Sequence, residues 1–433
     1  MFEQSVFYQI YPLGLCGAPA ENDGATVPRI RRVIDWIPHI KALGADAVYF
    51  CPVFESDRHG YDTRDYTKLD CRLGTNADFA AVCEALRESG IRVYLDGVFN
   101  HVGRGFFAFE DVIRNREASR YRDWFEINFN GNSPYNDGFS YAAWEGHYEL
   151  VKLNLRNEAV VRYLFDAIRG WREEFHISGL RLDVAYCIDP AFLRRLRAFC
   201  DGLADDFTLI GEVLFGDYNR LVGGDLLHSC TNYECYKGLY SSFVSMNLFE
   251  ICHSLARQFG PEQWTLYKNK HLLCFAENHD VTRVASILTD KNQLRALYCV
   301  LFAMPGVPCV YYGGEWGAQG RKEQGDAALR PEFEAPAQTA QTTFIAQLAR
   351  AHKESRALCY GAYRNVLVTN QRAVFERSVD GETVLALVSA SGEAAMLSLN
   401  VHGAFTDLLT GEDVEIAGQY TFAPYEARLL SAR

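Results

Sequence analysis

No stretch of this 433-residue chain holds the roughly 18 consecutive apolar residues that a membrane-spanning helix requires, so a membrane is not expected as a partner. There is no run of Lys and Arg either. The formal charge is −12 at pH 7, and nucleic acid is not an expected partner. Cys-x-x-Cys pairs are missing although 13 cysteines are present, so neither a zinc motif nor a redox motif is indicated. Cys16, Cys51, Cys71, Cys83, Cys187, Cys200 and the rest through Cys359 are scattered, mostly in apolar runs where a free thiol behaves as a small buried hydrophobe. The opening Met1-Phe-Glu-Gln-Ser5 lacks the basic-then-apolar pattern of a signal peptide. With free thiols, that reads as a cytoplasmic, reduced environment. Tandem repeats and low-complexity segments are absent.

What is present is a large apolar fraction, 48%, enough for one big barrel and a small extra domain. Aromatic residues make up 13%, which serves both a large core and stacking on sugar rings. Strand-like and helix-like runs alternate. Strands are expected at Val6–Tyr11, Ala45–Pro52, Ile91–Asp96, 179–185, 207–213, Leu226–Asn232, 271–276 and Val307–Tyr312. Helices are expected at 29–43 (interrupted at Pro38), 77–89 (ended by Gly90), from Asn157 onward, 190–204, 247–259, 291–303 and 337–353. The natural closure is an α/β fold, a (β/α)₈ TIM barrel of eight βα units built from residues 1–101 and 156–356. Residues 102–155 are rich in Phe, Tyr, Trp, Asn and Gly and too long for an ordinary connection, so they read as a small inserted domain after strand 3. From 357 to 433 short β-like runs such as Val384–Val388 predict a C-terminal antiparallel β-domain, taken as a β-sandwich.

Three carboxylates stand at the ends of strand-like runs: Asp183, Glu212 and Asp280. Acids at the carboxyl ends of barrel strands point to where such barrels do chemistry. Two working carboxylates and a helper are the equipment for cleaving a glycosidic bond. Arg181 lies two residues before Asp183, so both side chains face the same way, and its charge should keep Asp183 ionised as a nucleophile requires. Glu212 sits between Ile210 and Val213, where burial should raise its pKa as a general acid requires. His101 and His279 are suited to sugar hydroxyls. Taken singly, Arg181–Asp183 also reads as a structural ion pair, His101 as a core histidine and Glu212 as a strand-end cap.

In combination and in this order the motifs resemble the α-amylase family of glycoside hydrolases. Asp96-Gly-Val-Phe-Asn-His101 is similar to the family's first signature, Gly179-Leu-Arg-Leu-Asp183 to the second, Gly211-Glu212 to the third and Asn278-His-Asp280 to the fourth. The resemblance covers residues from about 5 to 355. It implies Asp183 as nucleophile, Glu212 as acid/base and Asp280 as transition-state stabiliser, in a retaining mechanism. It implies Asp96, Asn100, His101, Arg181 and His279 around the sugar at the cleavage point, and Tyr61, in His59-Gly-Tyr-Asp-Thr-Arg-Asp-Tyr66, as the ring beneath it. Val151-Lys-Leu-Asn154 resembles a signature of neopullulanases, cyclomaltodextrinases and maltogenic amylases. Two departures stand out: this chain starts directly at barrel strand 1, without that group's N-terminal domain, and Val-Ala-Tyr-Cys187 lacks the usual Asn-Glu.

Asp326 and Arg330 read either as contacts to a terminal sugar or as a loop salt bridge. Trp144 and His147 read as cleft lining or as loop packing. Asn100 occupies a position that binds calcium in many α-amylases, but the inserted segment offers no obvious further carboxylate ligands at a fixed spacing, so calcium is not expected to be essential and no cofactor is expected. The expected substrate is a short maltooligosaccharide, with homo-oligomerisation left open. The competing readings are transfer of the same covalent glycosyl group to a sugar or phosphate, and a non-catalytic sugar-binding barrel.

Overall fold

Residues 2–433 are described by a computed structural model. The eight apolar runs become eight parallel strands: β1 Phe7–Ile10, β2 Ala47–Phe50, β3 Arg92–Gly97, β4 Gly179–Leu182, β5 Thr208–Gly211, β6 Ser229–Cys230, β7 Leu273–Phe275 and β8 Val307–Tyr311. Nearly every residue in them is buried, which is why they read as continuous apolar runs rather than alternating ones. Hydrogen-bonded neighbours run β6-β5-β4-β3-β2-β1-β8-β7. A parallel bridge from Thr231, just past β6, to Leu273 of β7 closes the ring. The result is a TIM barrel.

Helices α1 Arg32–Ala42, α2 Asn76–Glu88, α3 Glu158–Phe175, α4 Pro190–Asp201, α5 Tyr233–Val244, α6 Phe249–Phe259, α7 Leu294–Ala303 and α8 Ala340–Glu354 surround it. Capping explains several boundaries. Asn157 accepts from the amides of Ala159 and Val160 to start α3, and Thr75 and Thr339 form capping boxes on α2 and α8. Gly90 takes φ +78° just beyond α2. Pro38 lies inside α1 without interrupting it.

The expectation of eight βα units needs correction. The β5–β6 connection carries only the 3₁₀ turn Tyr218–Arg220, whereas the β6–β7 connection carries two helices, α5 and α6. The segment 102–155 is also more regular than its composition suggests. It holds a helix, Phe107–Asn115, and a three-stranded sheet made of His101–Gly103, His147–Lys152 and Ala143–Trp144.

Strands β9 Ala362–Val368, β10 Arg372–Val379, β11 Glu382–Ser389, β12 Ala395–Asp407, β13 Asp413–Phe422 and β14 Ala427–Ala432 form the C-terminal antiparallel domain. They make one ladder-connected sheet, in the order β9-β10-β11-β14-β12-β13, rather than the two separate sheets of a sandwich. A register shift between Ser398 and His402 bends it, and β9 returns to touch β12. Both faces are buried in the middle. Ala373, Phe375, Val384, Ala386 and Val388 join the barrel core, while Val374, Leu385, Leu387 and Leu430 build a second core with Leu399, Phe405, Ile416 and Phe422. Helix α7 is caught between barrel and sheet. Arg377, itself buried, donates to the Ala303 carbonyl at 2.7 Å and so caps the helix end.

Candidate active site

Register places the acids. Leu182 pairs with Gly211 across β4 and β5, so Asp183 and Glu212 stand side by side one residue beyond the ladder. Their amides continue it, Asp183 N–H to the Gly97 carbonyl and Glu212 N–H to the Leu182 carbonyl. Both side chains open onto a cavity of about 430 Å³ that is also lined by Asp280 after β7, by His59 and Tyr61 after β2, by His101 after β3, and by Trp144, His147, Glu149 and Leu150 from the inserted segment. Val184, Tyr186, Leu214, Tyr233, Lys322, Asp326 and Arg330 complete the wall. This is the C-terminal mouth of the barrel.

Arg181 is the organising cation. Its Nη1 lies 2.8 Å from Asp96 and 3.0 Å from Asp183, and its Nη2 lies 2.7 Å from Glu212. The sequence reading gave Arg181 to Asp183 and apolar surroundings to Glu212. In the structure the guanidinium spans β3, β4 and β5, and Glu212 has the shorter contact. Glu212 also accepts from the Val184 amide at 3.0 Å and the Tyr233 hydroxyl at 3.4 Å. Val184 adopts φ +40°. A β-branched residue rarely sits there, and the strain turns its N–H toward the carboxylate.

Arg181 draws the Asp183 carboxyl toward its ionised form, as expected, but it does not act alone. Burial pushes the Asp183 carboxyl well above the usual carboxylate range, Arg181 pulls the other way, and Glu212, Asp96 and Asp280 add to the rise. Asp280 behaves oppositely. Burial would raise it, but His279 at 2.9 Å and Arg330 at 2.8 Å outweigh burial and hold it far below its ordinary value. Burial would lower His279, yet the Asp280 carboxylate prevails and the ring is pushed up to about 10. Burial, with His59 and His147 nearby, pushes His101 down to about 3. Asn100 Nδ2 contacts His101 Nδ1 at 3.2 Å, which leaves the proton on Nε2, a buried atom without a protein hydrogen-bond partner 3.7 Å from Asp183.

The predicted set therefore divides. Asp183, Glu212, Asp280, Tyr61, His101, Trp144, Asp326 and Arg330 line the cavity. Asp96, Arg181 and His279 are not among its lining residues, although they were expected to touch substrate. They stand behind it: Asp96 accepts from the Tyr61 hydroxyl at 3.0 Å, and the His279 ring stacks on Tyr61 at 5.6 Å. Asp326 and Arg330 form the loop salt bridge, at 3.3 Å, and also line the cavity. Trp144 stacks on His147 at 5.3 Å, also within the lining. Tyr186, Leu214 and Tyr233 were missed. Tyr186 and Leu214 follow Asp183 and Glu212 within three residues, the one signal available for them.

Asn100 does not line this cavity. It faces a second one with Glu126, Lys152, Asn154, Arg156 and Asp189. The Asn100 Oδ1 atom is buried and unpartnered, but Lys152 and Arg156 share the space and Arg156 already engages Asp189 at 3.0 Å. Two cations and so few free oxygens do not fit a hard divalent ion. Glu55, Asp70 and Cys71 also converge, yet Arg72 holds Asp70 at 2.7 Å, and Asn22 at 3.0 Å and Lys68 at 3.4 Å hold Glu55.

Residues 9–355 match the family of the α-amylase catalytic domain. The chain belongs to the α-amylase family of glycoside hydrolases. It is 31% identical to neopullulanase 2 of Thermoactinomyces vulgaris, over 99% of this chain and 77% of that one. It is 28% identical to a cyclomaltodextrinase of Geobacillus thermopakistaniensis, over 95% and 73%. The structure superposes on the cyclic α-maltosyl-(1→6)-maltose hydrolase of Arthrobacter globiformis with a TM-score of 0.83 and 27% identity, covering 100% of this chain and 99% of that one. No helix among the described residues is long and apolar enough to cross a membrane.

Proposed function

We propose that this family member is a retaining α-glucoside hydrolase that cleaves short maltooligosaccharides in the cytoplasm. One observation carries the reading: Asp183 and Glu212, on neighbouring strands in the same register, share a single guanidinium while Asp280 faces the same cavity. A shared guanidinium and adjacent strands in register keep the two carboxyls near each other, and the covalent route asks for a separation of roughly 5–5.5 Å. Asp183 attacks the anomeric carbon as Glu212 protonates the departing oxygen. The glycosyl ester on Asp183 is then released by water, which gives its proton to Glu212. Asp280, kept ionised by His279 and Arg330, offsets positive charge on the ring. Tyr61 lies beneath the sugar, and the His101 Nε2–H donates to a hydroxyl.

Short substrates are favoured because the inserted segment walls one side and the Lys322–Asp326–Arg330 cluster walls the other, in a cavity of about 430 Å³. The test is a length series at equal concentration of glycosidic bonds. The kcat/KM for maltotriose to maltoheptaose is expected well above that for soluble starch, and adding phosphate or a sugar acceptor should leave free maltooligosaccharides as the main products. A rate that keeps climbing toward amylose would sink the reading.

A further inference from the structure

The two strands Ala143–Trp144 and His147–Lys152 are joined by Glu145 and Gly146 alone, with φ +47° and φ +88°. Two central residues with positive φ mark the hairpin turn that prefers Asn-Gly or Asp-Gly, because a longer side chain resists that conformation. Glu at the first position is locally unfavourable, and Gly146, with nothing within 4 Å of an added β-carbon, shows that the tip is not crowded. The strain therefore has a purpose outside the turn. The Glu145 carboxylate accepts from the Tyr186 hydroxyl at 3.3 Å, and this contact ties the inserted segment to the segment after β4. The Tyr186 ring in turn lies 5.1 Å from that of Phe215, in the segment after β5. Phe215 is 65% exposed, and Leu214 beside it is 36% exposed.

Tyr186 and Leu214 line the cavity, and Glu145 and Phe215 lie just outside them, so three segments meet at its rim close in sequence to Asp183 and Glu212. A general acid must touch the departing oxygen, so the leaving sugar lies there. The exposed Phe215 ring has no role in the core, and with the half-buried Tyr186 ring beside it, it matches the apolar face of a glucose unit.

We propose that Tyr186 and Phe215 form the platform for the sugar on the leaving side, and that the Tyr186–Glu145 hydrogen bond is a latch that keeps this side of the cleft short. The inference rests on the role of Glu212 given above. The latch selects against long chains by holding the Trp144 hairpin over the exit. The platform holds the departing sugar, and it equally holds an incoming sugar acceptor.

The experiment compares Glu145→Gly, Tyr186→Phe and Phe215→Ala on maltotriose, soluble starch and an α-glucosyl fluoride. Glu145→Gly and Tyr186→Phe should each raise the starch-to-maltotriose ratio of kcat/KM by roughly 5-fold or more, the scale of one lost hydrogen bond. Glu145→Gly, by relieving the turn, should leave Tm unchanged or higher. Phe215→Ala should cost roughly 10-fold on maltotriose and little on the fluoride, whose leaving group needs no platform. Unchanged length ratios in both latch variants overturn the latch, and equal loss on both short substrates overturns the platform. In either case a wild-type enzyme that still prefers maltotriose leaves the hydrolase reading standing. A wild type inactive on all three substrates fails that reading instead, and the inference falls with it.

Discussion

Arg330 donates to Asp280 Oδ1 through Nη2 at 2.8 Å, and through Nε it donates to the His279 carbonyl at 3.0 Å. One side chain fixes both the carboxylate and the backbone that carries it. Its guanidinium lies over the Tyr11 ring at 4.6 Å, so its own position is set by packing. Arg330→Ala should therefore let Asp280 drift and lower kcat/KM on the order of 100-fold, as small misplacements at a reacting centre do. Arg330→Lys keeps the charge but loses the fork and should recover only part. Wild-type activity in the alanine variant would show that His279 holds Asp280 unaided.

Asp183→Asn is expected to abolish turnover of glucans, by several orders of magnitude, and at the same time to stabilise the fold. Burial raises the native pKa of Asp183 above its unfolded value, so the native state resists releasing a proton that the unfolded state gives up. Wild-type stability thus falls as pH rises from the ordinary Asp range, about 4, toward the raised value. The asparagine variant escapes that loss. Its Tm should exceed wild type by a few degrees at neutral pH, and the gain should vanish near pH ~4. Thermal scans across pH read this directly, and a mechanism-based fluoroglycoside should label Asp183 in the wild type.

Glu212→Gln removes the proton donor and leaves a single acceptor oxygen, so it keeps only one of the contacts with Arg181 and the Val184 amide. Cleavage of natural glucans, whose leaving groups need a proton, should fall far more than formation of the glycosyl-enzyme from a fluoride glycoside. Comparable losses on both substrates would argue for a purely structural Glu212.

Chelation should leave Tm unchanged. The space that Asn100 faces already contains Lys152 and Arg156, and adding calcium to a stripped sample should produce no shift. A rise in Tm with calcium would mean that those side chains move aside for it.

The barrel was readable because its strands are buried on both faces and so spell unbroken apolar words, such as Thr208-Leu-Ile-Gly211. Strand-end acids were readable for the same reason, since Asp183 and Glu212 each follow such a word. What one sequence does not carry is which loops meet. Arg181 touching Asp96 and Glu212 depends on the register of three strands. Tyr186, Leu214 and Tyr233 join the cavity through loops whose directions no periodicity encodes. Helix α5, Tyr233–Val244, was missed because its Tyr, Ser and Gly residues weaken the helical stripe. The inserted segment hid its order because its pieces are short, and its two-residue strand Ala143–Trp144 has no period to detect.

Helix α7 has a consequence for how this protein can be cut and recombined. Every residue from Leu294 to Ala303 except Arg295 is buried, half by the barrel and half by the C-terminal sheet, and its last turn is held by Arg377 from β10. A fragment ending near residue 356 would display an oily rod with a bare carbonyl end and should precipitate rather than fold. The C-terminal sheet is accordingly not an accessory that a chimera can exchange freely. Any graft onto this barrel must bring its own lid for α7 and its own cation for the Ala303 carbonyl.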